Sequence, residues 1–91
     1  MAKIHASNLA RRLGPGWKSR VWENLGWHWE AVNGGWKCGK RGVGKFYAYF
    51  DDEFSSCEST PKKAVAAVLK TMEAKVEHAT AQLKRARTVA R

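Results

Sequence analysis

The sequence predicts an α+β fold: a small antiparallel β-meander of three to five strands packed against one long C-terminal helix, with a basic N-terminal segment. Two observations carry this. All ten aromatic residues fall between Trp17 and Phe54, where apolar and polar side chains alternate between clusters of Asn, Gly and Asp. From residue 62 onward there is no Gly or Pro, alanine is abundant, and apolar or small residues recur at alternating spacings of four and three. Residues 1–16 read as a basic arm or a short helix, and residues 17–91 as a single sheet-plus-helix domain.

In chain order, Ile4, Leu9 and Leu13 line one side of a short helix with Ser7 or Asn8 as cap, unless the arm is disordered; Gly14-Pro15-Gly16 ends it. A first strand is expected over 19–23, closed by Asn24-Leu25-Gly26 as a three-residue hairpin loop. Over 27–32, Trp27, Trp29 and Ala31 share one face, and His28, Glu30 and Val32 the other. Asn33-Gly34-Gly35 is a strong hairpin signal, after which 36–38 begin the return strand. Residues 39–44 (Gly-Lys-Arg-Gly-Val-Gly) are expected to form a flexible, charged loop. Over 45–50, Phe46, Ala48 and Phe50 oppose Tyr47 and Tyr49. Asp51-Asp52 makes a turn, and 54–58 a weaker edge strand. Thr60-Pro61 opens the helix, with threonine as N-cap and proline at the first helical position.

That helix is expected to run to about Arg87, with a heptad seam of Val65, Leu69, Met72, Val76, Ala79, Leu83, Ala86 and Ala90. Its first half covers the sheet through Val65, Val68, Leu69 and Met72. The second half overhangs, because a helix of that length spans roughly 40 Å against roughly 20 Å for a strand. It must then pack on residues 1–16, form a weak homodimer, dock on a partner, or fray.

The chain carries 17 Lys and Arg against 8 Asp and Glu, a net charge of +9. Residues 1–20 hold five bases and no acid, 21–60 four bases and six acids, and 61–91 eight bases and two acids. Positive flanks around a near-neutral aromatic centre point to a polyanion or an acidic protein surface. No run is long and apolar enough for a membrane span or a signal-peptide core. Cys38 and Cys57 stand far apart in no CxxC pair, so reduced thiols in a cytoplasmic protein are expected.

No catalytic set emerges: His5, His28 and His78 are isolated, and neither GxSxG nor HExxH is present. No enzyme activity and no metal or other cofactor is expected. Gly39–Lys45 satisfies GxxxxGK, but Phe46 occupies the position of the magnesium-binding Ser or Thr. Its alternatives are a solvated hairpin loop and a loop that grips a sugar-phosphate backbone through Lys40, Arg41 and Lys45. Lys62 and Lys63 oppose the positive end of the helix macrodipole, a penalty that a nearby anion would reverse.

Resemblances add expectations. Thr60-Pro61-Lys62-Lys63-Ala64 is similar to the Ser-Lys-Lys-x-Ala start of the second helix in double-stranded-RNA-binding domains. Residues 41–68 resemble the three-strands-then-helix format of plant ethylene-response DNA-binding domains and integrase arm-binding domains, through Arg41-Gly42-Val43, Gly44–Phe50 and Thr60–Ala64. That resemblance implies strand residues in the major groove, here Arg41, Lys45, Tyr47 and Tyr49. Residues 54–58 depart from it, lacking Leu-Gly-x-Phe and basic readers. The strand-to-helix junction also resembles that of HicB-type antitoxins, and in format the chain is similar to small phage-encoded inhibitors such as anti-CRISPR proteins.

The expected function is therefore non-enzymatic nucleic-acid binding, DNA or RNA, mainly through the phosphate backbone. Lys40, Arg41, Lys45, Lys62 and Lys63 form the expected primary site, helped by Arg11, Arg12, Lys84, Arg85 and Arg87. The rival is a protein-interaction module or phage-type inhibitor, docking on a nucleic-acid–protein complex through an aromatic face that includes Tyr47 and Tyr49.

Overall fold

A computed structural model describes residues 2–90. It has a five-stranded antiparallel sheet in sequential order, flanked by two helices. The elements are α1 (Ala2–Leu13), β1 (Lys18–Glu23), β2 (Trp27–Asn33), β3 (Trp36–Gly42), β4 (Lys45–Phe50), β5 (Phe54–Glu58) and α2 (Pro61–Ala90). Met1 and Arg91, the ends of the two expected segments, lie outside the described residues, as does the side chain of Ala90.

The turns follow their chemistry. Gly34 takes a φ of 58° between the paired Asn33 and Trp36. Asp51 and Asp52 both take left-handed φ values, 52° and 56°, and the Glu53 amide donates to the Phe50 carbonyl at 3.1 Å. Two successive left-handed residues suit the right-handed twist of a hairpin, and aspartate tolerates that region better than most residues. In the first hairpin, Leu25 enters the left-handed region (φ 57°) ahead of Gly26 and is fully exposed.

β3 corrects the sequence expectation. Gly39, Lys40 and Arg41 lie in a strand, not a flexible loop; Gly39 pairs with Tyr47 and Lys40 with Phe46. A register shift between Lys40 and Gly42 marks a bulge, leaving Val43 and Gly44 to make the connection. The glycines that suggested a loop have separate uses. Gly44 supplies a left-handed φ of 68°, and Gly39 supplies space for a neighbouring ring.

Both helices pack on the same side of the sheet. The register aligns Ala31, Cys38, Ala48 and Ser56 across β2 to β5, and the first three are fully buried. These small side chains let the helices approach closely. α1 covers β1 and β2, placing Leu9 and Ala10 on Ala31 beside Trp17, Trp29 and Phe46. α2 covers β4 and β5, placing Ala64 and Val68 on Ala48 beside Trp36, Phe50 and Phe54. Thr60 caps α2 by accepting the Lys63 amide proton at 3.1 Å, and the Ser56 hydroxyl donates to the Ala64 carbonyl at 2.6 Å.

Of the four residues expected to cover the sheet, Val68 is fully buried with Val65 and Met72 packed beside it, whereas Leu69 is 44% exposed. Past Met72 the helix overhangs, giving a body of 61 × 24 × 23 Å. Helix α2 also continues beyond Arg87, to Ala90.

Candidate functional site: the uncovered sheet face

Strand alternation places a second set of side chains opposite the helices. One row is Lys18, Val32, Lys37 and Tyr49; the next is Arg20, Glu30, Gly39 and Tyr47; Trp22 and His28 follow. No element of the described chain packs on this side.

A shallow hollow of about 550 Å³ occupies the centre of this face. Its floor is Glu30, which is 5% exposed and the only buried charged residue among those described. One carboxylate oxygen accepts from Arg20 Nη1 at 3.1 Å and the other from the Tyr47 hydroxyl at 2.9 Å. Burying a carboxylate is costly unless donors replace water, and here each oxygen has one.

The walls combine rings with cations. Arg20 lies over the Trp22 ring, 4.9 Å from its centroid, and Trp22 stacks on His28 at 5.5 Å. Tyr47 and Tyr49 meet at 5.3 Å in a tilted pair. Arg41 Nη2 donates to the Tyr49 hydroxyl at 3.2 Å, and Lys37 reaches Asp52 at 3.4 Å. Burial first, then the Glu30 charge and hydrogen bond, pushes the Tyr47 phenol above its ordinary 10.0, so it remains a neutral donor.

The expected site residues do not form one cluster. Lys40, Arg41, Tyr47 and Tyr49 line the hollow, with Lys45 at the β3–β4 turn beside it. Lys40 is exposed and also lines a cleft on the helix side with His5, Asn8 and Arg12, where Arg12 sits over Phe46 at 5.4 Å. Arg11 ends α1. Lys62 and Lys63 are exposed in the first turn of α2, where the Lys63 amide is already taken by Thr60. Lys84, Arg85 and Arg87 stand on the overhang. The physical reason is topological: charge runs that are close in sequence alternate across the pleat or are carried off by the long helix.

Sequence reasoning missed Arg20, Lys37, Trp22 and Glu30. The signal was there in part, since Lys18, Arg20 and Trp22 alternate with Ser19 and Val21. Tyr47 and Tyr49 face away from the helices, and their cross-strand neighbours on β3 are Gly39 and Lys37. Among the described residues no group of His, Cys, Asp and Glu is placed to hold a metal ion, and no helix is long and apolar enough to cross a membrane. Comparison with protein-family models, with curated proteins and with solved structures returned no match to this chain.

Proposed function

We propose that this protein is a non-enzymatic nucleic-acid binder that holds a single strand on the uncovered sheet face. The observation that carries the proposal is the placement of both helices on one side. It leaves Trp22, Tyr47 and Tyr49 beside Arg20, Lys37 and Arg41 on the other. Rings of this kind stack splayed bases, and cations spaced between them neutralise the phosphates that link those bases. A broad sheet face suits an unpaired strand better than a duplex, whose major groove admits one helix or a two-stranded ribbon. Lys18 and Lys45 extend the basic track at its margins. Glu30 does not repel the ligand strongly, because Arg20 and Tyr47 occupy both its oxygens.

A second reading, docking on a protein of a nucleic-acid-handling complex, is favoured by the exposed Leu25, Trp27 and Val43 at the hairpin ends. Titration with labelled single-stranded and duplex oligonucleotides at two salt concentrations separates the two. Salt-steep binding that prefers the single strand is the expected result. Absence of binding at low salt would reject nucleic acid as the ligand and leave the protein partner.

A further inference from the structure

The second half of α2 carries an apolar stripe that no described residue covers. Val76 is 64% and Leu83 50% exposed, with Ala79 and Ala86 on the same side between and beyond them. The rim of this stripe changes sign along the helix. Near the sheet, Leu69, Met72 and Val76 line an apolar groove of about 400 Å³ edged by Glu73 and Glu77. Near the C-terminus, Leu83 sits in a second hollow edged by Lys84 and Arg87.

We propose that this overhang pairs with the same segment of a second copy, running antiparallel. Reversing one helix on the other brings the acidic-rimmed groove onto the basic-rimmed one, and the twofold axis does so twice. Heptad geometry then fixes the register. With Thr80 beside its own copy near the axis, Glu73 meets Arg87 of the second copy at the flanking positions on both sides. In the same register Val76 faces Ala86 and Ala79 faces Leu83, so each large side chain meets a small one and the helices approach closely. A parallel pair would instead set Arg87 opposite Gln82 of the second copy and leave Glu73 without a basic partner, so the opposite charges would not meet. The sheets lie at opposite ends of the antiparallel pair, so the uncovered faces stay clear. This pairing is independent of what those faces bind.

Sedimentation equilibrium of the full chain tests it. The mass should rise from 10.2 kDa towards twice that value with increasing protein concentration. Arg87→Glu should weaken pairing roughly tenfold, since it turns two symmetric attractions into repulsions, and Glu73→Arg combined with Arg87→Glu should restore it. Leu83→Glu should leave a monomer whose unfolding midpoint matches that of dilute wild-type protein. A mass of 10.2 kDa at every concentration would reject self-pairing and leave the stripe to a different partner. Unchanged or tighter pairing of Arg87→Glu, or failure of the double exchange to recover, would reject the antiparallel register.

Discussion

The Tyr47 hydroxyl on β4 donates to Glu30 on β2 across the whole width of β3, at 2.9 Å. It can do so because the residue beneath the ring is Gly39, paired directly with Tyr47. Glu30 in turn accepts from Arg20 on β1. One buried carboxylate thus links β1, β2 and β4 on the face that the helices leave bare, and it holds Tyr47 flat in the floor of the hollow.

Gly39→Ala should break this arrangement. A Cβ there would overlap the Tyr47 hydroxyl and ring, while the φ of Gly39 lies outside the left-handed region, so the penalty is steric alone. Displacing the ring leaves one Glu30 oxygen unsatisfied, and a loss of about 1–3 kcal/mol is expected from overpacking and the lost donor. Chemical denaturation of the single variant and of Gly39→Ala in a Tyr47→Ala background measures it. With the ring gone, the alanine should cost little.

Alkaline stability should carry the signature of two neutral groups, the buried Cys38 thiol and the half-buried Tyr47 phenol. Burial first, then the Glu30 charge, raises the Cys38 thiol from 9.0 to about 12, with Arg12 pulling slightly the other way. Tyr47 is raised for the same leading reasons. In both cases the folded pKa lies above the unfolded one. Their contribution is therefore whole below pH 9.0 and is lost from there towards pH 12, as the unfolded chain releases protons that the folded chain keeps. Unfolding free energy should fall steeply through that window, and Cys38→Ala should flatten the fall although it lowers stability at neutral pH. Thiol labelling offers a second measure: Cys57, exposed on β5, should react in the native state, and Cys38 only on unfolding.

Much of the fold was legible because local chemistry and tertiary structure agree. Alternation in β2 and β4, the Asp51-Asp52 turn and the Thr60-Pro61 helix start all stand where the sequence puts them. Gly39 misled because its reason for being glycine is on another strand: a ring that crosses it cannot be seen in residues 36–44. The candidate site was legible through Lys40, Arg41, Tyr47 and Tyr49. Arg20 and Lys37 join them through pairing register, and register depends on the bulge at Arg41, which no local pattern announces.

The start of α2 offers a test of local against tertiary anchoring. Thr60→Ala removes the acceptor for the Lys63 amide and should cost about 1 kcal/mol. Lys62 and Lys63 sharpen the effect, since two cations in the first turn already oppose the dipole. Thermal unfolding of Thr60→Ala should therefore show a lower midpoint, whereas Thr60→Ser or Thr60→Asp should keep it near that of the wild type.

Charge reversal distinguishes the sheet face from the basic helix end as the place where a strand is held. Lys37→Glu with Arg41→Glu alters side chains at the hollow that, among the described residues, hydrogen-bond to exposed Asp52 and to Tyr49, so folding should be nearly unaffected. Affinity for a single strand should fall steeply, and the slope of log affinity against log salt should shrink by about one for each phosphate contact removed. Lys84→Glu with Arg85→Glu makes the same change in net charge on the overhang, far from the rings. If the field of the whole basic chain attracted the ligand, both pairs would weaken binding alike. If the ligand lies on the sheet, the helix pair should lower affinity only slightly. Tyr49→Ala should then add a loss that persists at high salt, because stacking, unlike phosphate contact, is not screened.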